Sequence, residues 1–289
     1  MHTPRPTRFA LVVVGALLPI ASLATACSSS KKTTTGATTT TTASSGPTLP
    51  AKYATNINVA MDATYPPDEF VQSGKIVGWD ADLINAIAAQ LGTHATLSNV
   101  TFDGIIPGML SGKYDVGASS FTDTKAREQQ VDFVTYFSSG EGFYENNNST
   151  AQFNGLTSLC GHTVSVESGT TEESDAKTQA GKCHVTVDSF SDQNQANLAV
   201  STGRADVGFA DSQVAGNIVQ QSNGQFKLTG TPFATAPYGF ALPKNSGLAQ
   251  PFLAALEKLI ANGTYNQILT KWGVQGGAIT TPVINGATS

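Results

Sequence analysis

The sequence predicts an α/β fold, and three observations carry that reading. From Ala51 onward, apolar runs of strand length alternate with longer runs of helical period, the pattern of parallel strands joined by helices. The stretch Gly112-Lys113-Tyr114-Asp115-Val116-Gly117 is echoed by Gly203-Arg204-Ala205-Asp206-Val207-Gly208. Each copy follows a helical stretch and opens a strand, so two lobes of similar build are expected. At 289 residues the chain has room for both.

Composition narrows the function. Charged residues are 13% of the chain, about half the usual share, which fits a secreted or surface protein. The net charge is −5 with no basic run, so a nucleic-acid partner is excluded. The chain has neither a Gly-x-x-x-x-Gly-Lys-Ser/Thr loop nor a Gly-x-Ser-x-Gly elbow, which removes two large enzyme classes as first guesses. Three cysteines cannot build a four-Cys zinc framework, and no metal site or cofactor is expected.

The N-terminus reads as an address. Arg5 and Arg8 precede an apolar stretch from Phe9 to Leu18 and the small residues Ala21 to Ala26, so residues 1–26 form a secretory signal. Leu23-Ala24-Thr25-Ala26-Cys27 resembles a bacterial lipobox, with its Leu one residue further from the Cys than usual. Cys27 is the expected lipidation site, and ordinary cleavage near Ala26 is the alternative. Fourteen of the 21 residues from Ser28 to Thr48 are Ser or Thr, so residues 27–50 read as an anchor and disordered tether. The expected location is extracytoplasmic, on the outer face of the cell membrane by a lipid anchor only, or secreted or periplasmic. Cys160 and Cys183 remain, an even pair in an oxidising compartment, which favours a disulfide over two buried thiols.

In the first lobe, Ile57–Met61 reads as a strand. Leu83, Ile84, Ile87, Ala88 and Leu91 give a helix over residues 80–91, stopped by Gly92. Ala95–Val100 is a second strand, Ile105–Leu110 a short helix, and Val116–Ser119 a third strand. In the second lobe, strand Thr163–Val166 leads to Gly169, and Thr170 with Glu173 forms a capping box that starts a helix. A glycine turn at a helix N-terminus is also an anion site. Phe252, Leu253, Leu256, Leu259 and Ile260 give a helix that Asn262-Gly263 breaks and Tyr265–Leu269 resumes. Residues 276–289 read as a loose tail. Ligands of open α/β sheets gather beyond the carboxyl ends of strands, here Ser119-Ser120-Phe121-Thr122 and Phe209-Ala210-Asp211.

Taken in order, several stretches resemble the family 3 extracellular solute-binding proteins, the polar amino-acid receptors of ABC importers, and among them glutamine- and histidine-binding proteins. They are Asp62-Ala63-Thr64-Tyr65-Pro66-Pro67, Gly78-Trp79-Asp80-Ala81-Asp82-Leu83, Phe102-Asp103-Gly104-Ile105-Ile106-Pro107, Ser119–Thr124 with Arg127, Gly169-Thr170-Thr171, Ala205–Asp211 and Asn262–Trp272. The resemblance implies a two-lobed, periplasmic-binding-protein-like flytrap of type II with two hinge crossovers, near residues 138–142 and 235–238. Lobe 1 is then 51–140 plus 237–275, and lobe 2 is 141–236.

Carried over by position, Arg127 clamps the ligand's α-carboxylate with its two parallel donors. Thr122 and the Thr171 backbone N–H complete that shell. Asp211 takes the α-ammonium together with groups of Ser119 and Ser120. Tyr65 and Phe102 sandwich the side chain, and Asp62 meets its head group. The pattern departs from the family at Asp68 and Trp79, each in place of a common Phe, at Val134-Thr135-Tyr136, and at Glu167, where a glutamine-binding relative carries Lys. Glu167 beside Asp62 repels acidic ligands, which ranks Arg, Lys or His first, Gln or Asn second, and Glu or Asp last. The implied protein is no enzyme: a monomer that hands its amino acid to ABC permease subunits. Two rivals are a cyclohexadienyl-type dehydratase on the same fold, with Glu167 or Asp211 moving the proton, and a sensing module for a membrane partner.

Overall fold

The computed structural model describes residues 47–288. The predicted signal, Cys27 and most of the tether lie outside those residues. Eleven strands and eight α-helices follow in chain order: β1 (Ile57–Met61), β2 (Thr64–Tyr65), β3 (Glu69–Gln72), β4 (Lys75–Val77), α1 (Trp79–Gln90), β5 (Ala95–Asn99), α2 (Phe102–Leu110), β6 (Val116–Gly117), α3 (Lys125–Glu128), β7 (Val131–Asn146), β8 (Thr163–Glu167), α4 (Thr171–Ala180), β9 (Thr186–Phe190), α5 (Gln193–Ser201), β10 (Val207–Asp211), α6 (Ser212–Gln221), β11 (Phe226–Pro243), α7 (Ala249–Ala261) and α8 (Thr264–Trp272).

The large sheet has the order β5-β1-β6-β11-β7-β10-β8-β9. It is nearly symmetric about its middle. On one side β1 runs parallel to β5 and β6; on the other β8 runs parallel to β9 and β10. The long antiparallel pair β7 and β11 joins the two sides, with register shifts between Thr229 and Gly239. The two copies of the sequence echo open β6 and β10, the strands that flank this pair from opposite sides. One apolar core packs Val59, Trp79, Leu83, Phe240, Phe252 and Tyr265. Separate clusters on the far side pack Tyr144, Val200 and Val214, and Phe143, Val166 and Phe209.

Local chemistry sets the boundaries. Helix α4 starts where the capping box places it: the Thr170 side chain accepts from the Glu173 N–H. The Glu173 carboxylate reaches back one residue further than expected, to the Gly169 N–H at 3.0 Å. Helix α2 begins three residues before the predicted start, because Asp62 Oδ2 accepts the otherwise free Phe102 N–H at 2.9 Å. Cys160 and Cys183 form a disulfide, Cα–Cα 5.6 Å. It staples the approach to β8 to the end of α4, two elements that carry site residues.

Two expectations are corrected. Leu49, placed in the tether, packs against the main core. The tail past Gly276 is not loose. It doubles back along β7, bridging Phe137 with Ala278 and Val134 with Ile284. Thr135 N–H donates to Val283 O at 2.9 Å, and Val283 N–H donates to Thr135 Oγ1 at 2.9 Å. Gly286 and Ala287 N–H then donate to Asp123 Oδ2 at 2.7 Å and Glu128 Oε1 at 3.1 Å, on either side of Arg127. The segment lacks apolar period because what orders it is backbone pairing, which any side chain permits.

Candidate functional site

A cavity lies between the two sides of the molecule, at the carboxyl ends of β1, β6, β8 and β10. Its walls are Asp62, Tyr65, Glu69, Phe102, Ser119, Ser120, Thr122, Arg127, Glu167, Thr170, Thr171, Glu172 and Asp211. All ten residues singled out from the sequence stand in this wall. The space between them is about 290 Å³, and the cleft is shut, with side chains from its two sides in contact.

Bonds across the cleft hold it shut. Tyr65 O–H donates to Asp211 Oδ2 at 3.0 Å, and the Asp211 N–H donates back to Tyr65 Oη at 3.0 Å. Arg127 Nη2 donates to Gly169 O at 2.9 Å, while its Nη1 donates to Thr122 O at 2.7 Å. The guanidinium lies over Phe102 and Phe121, 5.4 and 5.2 Å from the ring centres. Arg127 is the one cation in the wall, and among the described residues no carboxylate lies within 4.0 Å of it. Burial lowers it to about 10, against the pull of Glu172 and Asp211.

Five carboxyls surround that single cation. Asp62 accepts from Thr64 Oγ1 at 2.6 Å and the Thr64 N–H at 3.1 Å, besides the bond to Phe102. It is thus a structural anchor as well as a wall residue. Glu167 is 2% exposed, so it does not turn out to solvent, and its Oε1 has no partner. Burial first, then Asp62, pushes its carboxyl well above the usual range. Asp211 is raised by burial and by Glu172.

Three wall residues escaped the sequence reading: Glu69, Thr170 and Glu172. Glu172 in the first turn of α4 reads as an ordinary partner of the helix dipole. It does sit there, its Oε2 accepting from Thr171 Oγ1 at 3.2 Å while its Oε1 has no partner. Its carboxylate therefore covers the anion site at the start of α4, beside Arg127. Glu69 belongs to a buried acidic group behind the wall. Ser119 Oγ donates to Glu69 Oε1 at 2.8 Å, Ser120 Oγ to Asp68 Oδ2 at 2.8 Å, and Tyr136 O–H to Asp80 Oδ2 at 2.8 Å. Trp79 Nε1 donates to Asp68 Oδ1 at 2.6 Å. Two of the departures from the family pattern thus bond to each other, and Trp79 does more than pack the core.

That acidic group sets a pH dependence. Burial raises Asp68 to about 6 and Asp80 to about 7. The folded state therefore holds protons that the unfolded chain, with ordinary carboxyls near 4, has lost. Stability should rise as pH falls from 8 to 5.5, by up to about 1.4 kcal/mol per pH unit for each such proton. Asp80→Asn keeps an acceptor for Tyr136 and should flatten the slope. Thermal melts of ligand-stripped protein across that range check this; a melting point that drops steadily toward pH 5.5 would contradict it.

Comparison with known proteins agrees with this geometry. Residues 57–275 match the family described as bacterial extracellular solute-binding proteins, family 3. The chain belongs to that family. This solute-binding protein is 33% identical over 229 residues to the arginine-binding protein ArgT of Corynebacterium glutamicum, covering 76% of this chain and 75% of the relative. It is 30% identical over 236 residues to the ABC transporter arginine-binding protein 1 of Escherichia coli, covering 78% and 93%. An ancestral arginine-binding protein bound to arginine superposes with a TM-score of 0.73 at 37% identity, covering 76% of this chain and 99% of that one. Its homologues are amino-acid-binding proteins of ABC transporters. No described helix is long and apolar enough to cross a membrane. The strap from Ala278 to Ala287 lies beyond the matched residues.

Proposed function

We propose that this protein captures a basic amino acid, L-arginine first, between its lobes and delivers it to an ABC permease without chemical change. The observation that carries the reading is the charge of the wall: five carboxyls around one guanidinium. A basic amino acid brings two cations and one anion, the complement of that wall. An acidic ligand would bring a second anion among carboxyls in a site of low dielectric, where repulsion exceeds its value in water.

In this reading each wall residue singled out from the sequence has a role. Arg127, Thr122 and the N–H groups at the start of α4 take the α-carboxylate. The Glu172 carboxylate stands in for that anion until the ligand displaces it. Asp211, Ser119 and Ser120 take the α-ammonium. Tyr65 and Phe102 cover the aliphatic stem, and Asp62 with Glu167 hold the guanidinium, which supplies the partner Glu167 Oε1 lacks. Residues 51–140 with 237–275, and 141–236, act as lobes hinged on β7 and β11. The ligand shifts the population toward the shut form by its preference for it. The chain's similarity to arginine-binding proteins points to the same ligand.

The test is a thermal-shift panel on protein unfolded and refolded to strip carried-over ligand. It includes the twenty amino acids, ornithine, citrulline and prephenate. A ligand at 100 times its Kd adds about 2.7 kcal/mol. Arginine should give the largest shift, with lysine or histidine next and glutamate and aspartate none. A response to prephenate alone would move the protein to the dehydratase reading; a largest shift from glutamate or aspartate would overturn the charge argument.

A further inference from the structure

Next to the cavity lies a second chamber that the amino-acid reading does not use. Its walls are Thr122, Ser139, Glu141, Thr171, Asp175, Asp211, Ala234 and Ala236. Thr122, Thr171 and Asp211 are shared with the first cavity, and the two threonine hydroxyls meet at 3.4 Å between them. The chamber has a volume of about 400 Å³, part of it open to solvent. That is room for a small organic group, well beyond one ion or one water.

Its chemistry is cation-seeking. Glu141 is 5% exposed, and its Oε2 has no partner. Asp211 and Glu141 are directly opposed across β10 and β7, so their carboxyls stand side by side on one face of the sheet. Like charges so placed cost stability. Asp175 adds a third acid, and no Lys or Arg lines the chamber. Burial, then Glu172, Asp175 and Asp211, push Glu141 up to about 10. The charge of Lys182 acts on Asp175, against the burial that raises it.

We propose that the chamber is a second cation subsite that takes the N-terminal ammonium of a dipeptide whose C-terminal basic residue fills the first cavity. This rests on the reading of that cavity as a basic amino-acid site. The free α-carboxylate of the C-terminal residue keeps its clamp at Arg127. The α-nitrogen, now an amide N–H, still donates to Asp211. The positive charge moves one residue outward, about 3.8 Å in Cα terms. That is a step toward Glu141, since the Cβ atoms of a directly opposed pair such as Asp211 and Glu141 stand roughly 4.5–5.5 Å apart.

Calorimetric titration of stripped protein with L-arginine, glycyl-L-arginine, N-acetyl-L-arginine and L-arginyl-glycine tests this. Glycyl-arginine should bind at least about tenfold tighter than N-acetyl-arginine, which keeps the amide and lacks only the terminal ammonium. It should also bind tighter than arginyl-glycine, which loses the carboxylate clamp. Glu141→Gln, and separately Asp175→Asn, should lower the ratio of glycyl-arginine to arginine affinity, by about tenfold for Glu141→Gln. The proposal is overturned if N-acetyl-arginine or arginyl-glycine binds as well as glycyl-arginine, if glycyl-arginine fails to bind while arginine binds, or if the ratio is unchanged in both variants. Failure of arginine itself would instead overturn the reading of the first cavity, and this one with it.

Discussion

Arg127→Ala is expected to abolish amino-acid binding while leaving the protein folded. The side chain is the one cation in a wall of five carboxyls. Its two nitrogens hold Thr122 O on one side of the cleft and Gly169 O on the other. A ligand carboxylate placed between those partners would take two charge-assisted bonds, each worth about 1.5–3 kcal/mol. Losing both should weaken binding by about 3 kcal/mol or more, over 100-fold. The fold should survive, because α3 is capped by Thr124 and held by the strap, and neither needs the guanidinium. Arg127→Lys separates charge from geometry: it keeps a cation and loses the fork, so affinity should fall between the two. Titration with arginine, alongside thermal melts, reads both effects. Alanine protein that binds arginine within about threefold of the parent would remove the carboxylate clamp from this residue.

Much of the architecture was legible because it rests on local pattern. The periodicity of Leu83, Ile84 and Ile87, the capping box at Thr170 and Glu173, and the glycines after β-α units all act over a few residues. The site was legible for another reason: strand ends concentrate ligand contacts in this kind of sheet. What escaped depends on long-range partners. The strap has no periodicity of its own and is ordered by Phe133, Thr135 and the acids flanking Arg127, which are more than a hundred positions away in sequence. Glu69 and Glu141 carry no local signal: Glu69 is buried against Ser119 and Ser120, and Glu141 opposite Asp211, partners about fifty to seventy positions away. Asp68 and Trp79 each looked like an isolated departure until their shared hydrogen bond made them one feature.

Glu167→Gln is expected to move stability and affinity in opposite directions. In the shut cleft Glu167 faces Asp62, with Asp192 and Glu172 adding to the repulsion. Its Oε1 lies buried without a donor. Such a group destabilises the ligand-free shut form, since an ionised carboxyl there is desolvated and a neutral one must hold a proton it would lose in water. Glutamine has the same shape and no charge, and its amide can donate to Asp62. The ligand-free protein should therefore melt a few degrees higher, as about 1 kcal/mol shifts a chain of this size by about 2–4 °C. Arginine should lose the buried ion pair that its guanidinium forms with Glu167. Truncating one partner of such a pair costs about 2–5 kcal/mol, or roughly 30-fold to several-thousand-fold in affinity. Glutamine, which brings no charge, should lose far less, so the preference for arginine over glutamine should shrink. A residue kept for packing would show the reverse: lower melting temperature and little change in preference. The sign of the melting shift in stripped protein, read beside the arginine-to-glutamine affinity ratio, decides between a carboxyl that supports the fold and one that the fold tolerates for the sake of its ligand.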